Sequence, residues 1–84
     1  MNNIRLKYFA SIREALGTGS ESLQTDAPTV AALRDALIAR GGASAEVLAR
    51  SRHVRVALNQ TLCDESAALS EGCEVAFFPP VTGG

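Results

Sequence analysis

Surplus charge is the first thing this sequence lacks. Eight Lys and Arg residues stand against nine Asp and Glu, a net charge of −1 over 84 residues. Proteins that bind nucleic acid or anionic membranes are normally basic, so this balance argues against both kinds of partner. Long apolar runs are also missing, and none approaches the ~20 residues of a membrane span. The amino-terminal stretch carries charge but no hydrophobic segment of the signal-peptide kind. The expected compartment is therefore the cytoplasm. Cysteine is scarce: Cys63 and Cys73 fit neither a Cys-x-x-Cys redox motif nor a zinc-ligand spacing. They read as ordinary thiols, kept reduced in a cytoplasmic chain. Histidine occurs once. His53 has no Ser or Cys nucleophile beside it in a recognisable motif, and so makes no catalytic case.

What remains is the composition of one small folded domain. Hydrophobic residues make up 46% and charged residues 20%, ordinary values for a globular protein. A chain this short buries about 60–65% of its unfolded surface, so the core is modest.

Alternation from Ile4 to Phe9 predicts a strand with Ile4, Leu6 and Tyr8 on one face and Arg5, Lys7 and Phe9 on the other. Ser11–Leu16 reads as a short helical turn ended by Gly17, and Ser20–Thr25 as a second strand forming a hairpin with the first. Thr29 is the expected cap of a helix carrying Val30, Leu33 and Leu37 inward with Ala36 beside them. Arg34 and Asp35 are expected on its wet side, and Gly41-Gly42 should stop it. Residues 38–52 are not diagnostic: Val47 and Leu48 can anchor either a second short helix or an ordered loop. Arg50, Arg52 and Arg55 around His53 read as a solvated approach to the next strand, in preference to the alternative of a docking site for an acidic partner. Val54, Val56 and Leu58 give that strand a buried face. Asn59-Gln60 forms a turn, and Thr61–Cys63 returns as a short strand. After a turn at Ser70–Gly72, Glu74–Phe78 forms the last strand, with Val75 and Phe77 on one face and Ala76 and Phe78 on the other. One amphipathic helix on one mixed sheet is the smallest two-layer answer to this order. The expected fold is thus α+β, a ubiquitin-like β-grasp over residues 1–80 with a flexible extended tail at 81–84.

That arrangement leaves Phe9, Phe78 and Leu62 on the sheet face turned away from the helix. Large apolar side chains clustered there suggest a protein partner. The tail carries the chemistry. Pro79 and Pro80 end sheet pairing and drive the chain outward. Four peptide steps from Pro80 to Gly84 reach roughly 14 Å. Gly83 and Gly84 have no Cβ and fit a channel too narrow for other residues. Read as a chain end, Gly84 holds a carboxylate at the tip of a thin tether. Joined to AMP as a mixed anhydride, that carboxylate becomes an electrophile from which a sulfur nucleophile can displace AMP.

The stretch EVAFFPPVTGG, Glu74–Gly84, resembles the carboxy-terminal signature of the small sulfur-carrier subunits of molybdopterin synthase. RLKYFASIREALG (Arg5–Gly17), PTVAALRDAL (Pro28–Leu37) and ALNQTL (Ala57–Leu62) resemble the same family in collinear order. The resemblance places the first and last strands side by side and parallel. It also implies a cycle. An adenylyltransferase uses ATP and Mg²⁺ to adenylate Gly84, and a sulfurtransferase converts the adenylate to a thiocarboxylate. The tail, Pro79, Pro80, Val81, Thr82 and Gly83, then enters the large catalytic subunit of molybdopterin synthase, with a heterotetramer expected. There the sulfur goes to cyclic pyranopterin monophosphate to build the dithiolene. By this reading the chain is no enzyme alone and holds no permanent cofactor or metal. Three other readings remain open: a sulfur carrier for the thiazole of thiamine, a ubiquitin-like modifier of lysines, and a non-covalent binding module with an inert tail.

Overall fold

A computed structural model describes residues 1–79; Pro80, Val81, Thr82, Gly83 and Gly84, to which the tether and its reactive end were assigned, lie outside the described residues. Strand β1 (Asn2–Tyr8) leads into helix α1 (Ala10–Leu16), which ends at Gly17 with φ 74°. That left-handed conformation suits glycine, which lacks the Cβ that would clash there. Strand β2 (Ser20–Thr25) returns antiparallel to β1. Helix α2 (Val30–Ala39) begins where the Thr29 side chain accepts a hydrogen bond from the Ala32 N–H, the expected cap. It stops at Arg40, before Gly41 (φ 76°) and Gly42 (φ 60°). Helix α3 (Gly42–Val47) then occupies part of the stretch that the sequence left undecided. Strands β3 (Arg55–Leu58), β4 (Thr61–Leu62) and β5 (Glu74–Phe78) follow among the described residues.

The sheet runs β2-β1-β5-β3-β4. β5, last in the chain, is the central strand. It pairs parallel with β1 and antiparallel with β3. The mixed sheet, the helix packed across one face and the central first and last strands make this a β-grasp fold. Ile4, Leu6, Tyr8, Val75 and Phe77 from the sheet pack with Val30, Leu33 and Leu37 from α2, all nearly inaccessible to solvent. Leu48, just after α3, Leu69 and Cys73 are buried in the same core. The alternation of β1 and β5 is thereby explained: every second residue faces α2.

Three expectations for polar and small residues need correction. Arg34, expected in water, is 4% exposed. Its Nε donates to the Leu48 carbonyl at 2.7 Å, and its terminal nitrogens donate to the carbonyls of Ala49 (2.7 Å) and Arg52 (3.0 Å) and to Glu65 Oε2 (2.7 Å). A guanidinium presents five N–H groups in a rigid fork, so it can be buried when that many acceptors converge on it. Ala36 is exposed rather than inward-facing, because Val30, Leu33, Arg34 and Leu37 at i, i+3, i+4 and i+7 fill the inner stripe. Arg50 is not merely solvated: it pairs with Asp35 (2.9 Å) and Glu65.

Candidate functional site

The described site is a face of the sheet and the place where the chain leaves it. β5 directs Phe78 outward, opposite in sense to the buried Phe77. Phe9 follows β1 immediately, and its N–H donates to the Phe77 carbonyl at 3.2 Å, continuing the β1–β5 ladder by one residue. Ala10 then takes φ 52°, an uncommon conformation for a residue with a Cβ. This bend turns the chain into α1 just after Phe9. The Phe9 and Phe78 rings meet edge to face, with centroids 6.4 Å apart at 78°, a geometry favoured by the aromatic quadrupole.

Leu62 reaches the same face from the outer hairpin. Asn59 (φ 51°) and Gln60 (φ 70°) both adopt positive φ, which matches a two-residue turn to the twist of the strands. Asn59 secures the turn to β5: its N–H donates to the Glu74 carbonyl (2.8 Å), and its Oδ1 accepts from the Glu74 N–H (3.0 Å). Ala57 faces Leu62 across β3–β4, and Ala76 faces Ala57 across β3–β5. The small alanines make the floor of a shallow apolar surface walled by Phe9, Leu62 and Phe78. Phe9 is 46% and Leu62 62% exposed. The three residues singled out from the sequence are therefore brought together on one face.

Pro79 stands at the edge of a cleft lined by Ile12, Val47, Arg52, His53 and Val54. Sequence reasoning did not connect Arg34 with this region. Its three carbonyl partners belong to Leu48, Ala49 and Arg52, so it braces the segment that forms one wall of the cleft. The signal was present in its spacing within the buried stripe of α2. Glu65 supports the brace from the far side. Burial alone pushes its carboxyl upward, but hydrogen bonds from Arg50 and Arg34 outweigh that and hold it below its ordinary value.

Neither thiol is disulfide-bonded. Cys73 is buried in the core. Burial, with the neighbouring Asp64 carboxylate adding to it, pushes the Cys63 thiol above its ordinary range. Cys63 is therefore protonated at neutral pH and a weak nucleophile. Among the described residues, no three His, Cys, Asp or Glu side chains gather so as to hold a metal ion. No helix among them is long and apolar enough to cross a membrane.

Comparison with known proteins relates the chain to several others. The chain is 43% identical over 81 residues to a molybdopterin synthase sulfur carrier subunit of Escherichia coli (strain K12), the match covering 96% of this chain and 99% of that one. The crystal structure of small archaeal modifier protein 1 from Haloferax volcanii matches with a TM-score of 0.79 at 28% identity, covering 96% of this chain and 100% of that one. At the level of fold alone, it matches a chain in the complex of subunits 1 and 2 of molybdopterin-converting factor from Helicobacter pylori 26695. That match has a TM-score of 0.68 at 22% identity and covers 98% of this chain and 99% of the other. The ThiS family model matches residues 6–84, and with this span and the near-full-length relative together, the chain belongs to the ThiS family.

Proposed function

We propose that this chain is the sulfur carrier subunit of a molybdopterin synthase. The observation that carries the reading is 43% identity across 96% of the chain to a protein of that description. The carrier is not an enzyme by itself; it delivers a reactive atom to catalytic side chains on its partners. The Gly84 carboxylate attacks the α-phosphorus of ATP, with Mg²⁺, on an adenylyltransferase, and pyrophosphate leaves. A sulfurtransferase persulfide displaces AMP to give an acyl disulfide, and a thiol then cleaves that disulfide, becoming oxidised itself and releasing the Gly84 thiocarboxylate. In the large synthase subunit the sulfur passes to cyclic pyranopterin monophosphate and the glycine returns to a carboxylate. A dithiolene has two sulfurs, so each molybdopterin consumes two loaded carriers.

The geometry is consistent with this division of labour. The strand that leads to the tail is the central one in the sheet, held by ladders on both sides. Its exit at Phe78–Pro79 adjoins the Phe9–Leu62–Phe78 surface. We assign that surface to the large subunit, so that docking and tail insertion are set by one rigid strand. Residues 1–80 serve as the folded domain and residues 81–84 as the inserted tether.

A second reading, a protein modifier, draws on the likeness to small archaeal modifier protein 1. Mass spectrometry of the carboxy-terminal peptide separates the two. After incubation with ATP, the activating enzyme and a sulfur source, the carrier reading expects one oxygen of Gly84 replaced by sulfur, followed by transfer to the pterin. An isopeptide-linked ladder on lysines supports the modifier, and transfer to a thiazole precursor in place of the pterin supports the thiamine carrier. Deleting Gly84 withdraws the carboxylate by roughly 3.5 Å, more than a positioned reaction tolerates. The deletion variant should melt like wild type and acquire no sulfur. Gly83→Val should fold equally well and load more slowly, because its side chain obstructs a narrow channel. Sulfur found on Cys63 or Cys73, or a Gly84 deletion that still feeds the pterin, would refute the reading.

A further inference from the structure

Strand register defines the charge on the outer sheet face. Residues paired across strands share a face. Arg55 lies opposite Phe78, Lys7 opposite Ala76, Arg5 opposite Glu74, and Ala57 opposite both Ala76 and Leu62. From β2, the positions on this face are Ser20, Ser22 and Gln24, paired with Lys7, Arg5 and Asn3. The charged strand residues on the face are therefore Arg5, Lys7, Arg55 and Glu74. The Glu71 carboxylate joins them at the edge, hydrogen-bonded to the Asn3 side chain, so three positive groups stand against two negative, a surplus of +1. The whole chain has a formal charge of −1, so the rest of the molecule carries a charge of −2. The apolar surface thus sits on the positive side of an acidic protein.

Only one of the cations is neutralised on the face: Lys7 Nζ lies 3.8 Å from Glu74 Oε1. Arg5 and Arg55 have no ion-pair partner among the described residues. Arg55, directly beside Phe78, borders the apolar surface. A partner that covers Phe9, Leu62 and Phe78 must also cover or border Arg55. Burying a guanidinium without a counter-charge is costly, so a purely apolar partner surface is disfavoured.

We propose that this face docks on a protein surface whose apolar centre is ringed by carboxylates, with Arg5 and Arg55 as the steering and matching charges. This rests on the reading that the Phe9–Leu62–Phe78 surface meets the large synthase subunit, and it specifies that subunit's chemistry there. The charges speed encounter and set orientation, while the aromatic centre holds the complex. The same face on a second copy would bring like charges together, so self-association is disfavoured.

The test is stopped-flow association with the large subunit of the same organism over about 20 to about 500 mM salt, a range that shortens the screening length several-fold. Wild type should lose about tenfold or more in association rate across it. The double variant Arg5→Glu, Arg55→Glu should associate about tenfold or more slowly at low salt, and its dependence on salt should flatten or invert. The double variant Arg5→Lys, Arg55→Lys should behave as wild type. All three should share a melting temperature, since both sites are exposed. A salt-independent wild-type rate, or a charge-reversed variant as fast as wild type, overturns the proposal. So does concentration-dependent dimerisation abolished by the reversal, which would give the face to a second copy. Phe78→Ala isolates the underlying reading: a faster dissociation with an unchanged salt slope supports docking independently of the charges. Failure of wild type to bind the large subunit at all overturns both.

Discussion

Replacing Arg34 by Met keeps much of the side-chain volume and removes every donor. The guanidinium makes four hydrogen bonds, to the carbonyls of Leu48, Ala49 and Arg52 and to Glu65. Their loss is unequal. Leu48 is completely buried, and a carbonyl stranded there costs about 1–3 kcal/mol. The charge-assisted bond to Glu65 contributes about 1.5–3 kcal/mol, towards the lower end because the Glu65 side chain is 29% exposed and retains Arg50. Ala49 and Arg52 are partly or fully exposed, so water replaces much of what their carbonyls lose. The expected cost is about 3–5 kcal/mol, the range found when one partner of a buried pair is removed. A domain of this size has roughly 4–13 kcal/mol in total, so the variant should be marginal at room temperature. Arg34→Lys keeps the charge but offers a compact ammonium in place of a planar fork, and should recover only part of the loss. Urea unfolding with linear extrapolation measures both variants. Amide exchange should show residues 48–54 opening at lower free energy than β1 and β5. An Arg34→Met variant within about 1 kcal/mol of wild type, with unaltered exchange in that segment, would refute the bracing role.

Leu33→Ala and Leu37→Ala, each removing a fully buried side chain of α2, should cost about 2–5 kcal/mol in the same unfolding assay through lost burial and cavity formation. Phe78→Ala should weaken binding to the large synthase subunit by about 2 kcal/mol or more if the aromatic pair is a hot spot, measured by titration calorimetry with an unchanged melting curve; equal affinities would remove the assignment. Glu65 has a folded pKa below its ordinary value, so its share of stability is complete above the unfolded value of about 4.3 and disappears as pH falls through the lower folded value. Glu65→Gln should therefore destabilise at neutral pH and flatten the acid limb of a stability–pH curve below about pH 4.3; an unchanged acid limb would contradict the linkage.

Patterns of short range were legible in the sequence because local sterics and periodicity decide them. Alternation marked Ile4, Leu6 and Tyr8 and later Val75 and Phe77 as inward. The Thr29 cap, the Gly17 stop and the Asn59-Gln60 turn each depend on backbone geometry within a few residues. The outward direction of Phe9 and Phe78 followed from the same period of two. Register between strands did not follow from it. The parallel pairing of β1 with β5 was implied by the family resemblance; only the tertiary structure decided that Arg55 stands beside Phe78, that β3 flanks β5 on its other side, and that Phe9 meets Phe78 edge to face. Arg34 marks the boundary most clearly. Its place in the i, i+3, i+4, i+7 stripe was visible, yet its charge argued for water. Burial became favourable only because acceptors 14, 15, 18 and 31 residues away converge on one guanidinium. A buried charge depends on partners that the chain supplies only after it has folded, whereas an alternating strand carries its instruction in the neighbouring residues.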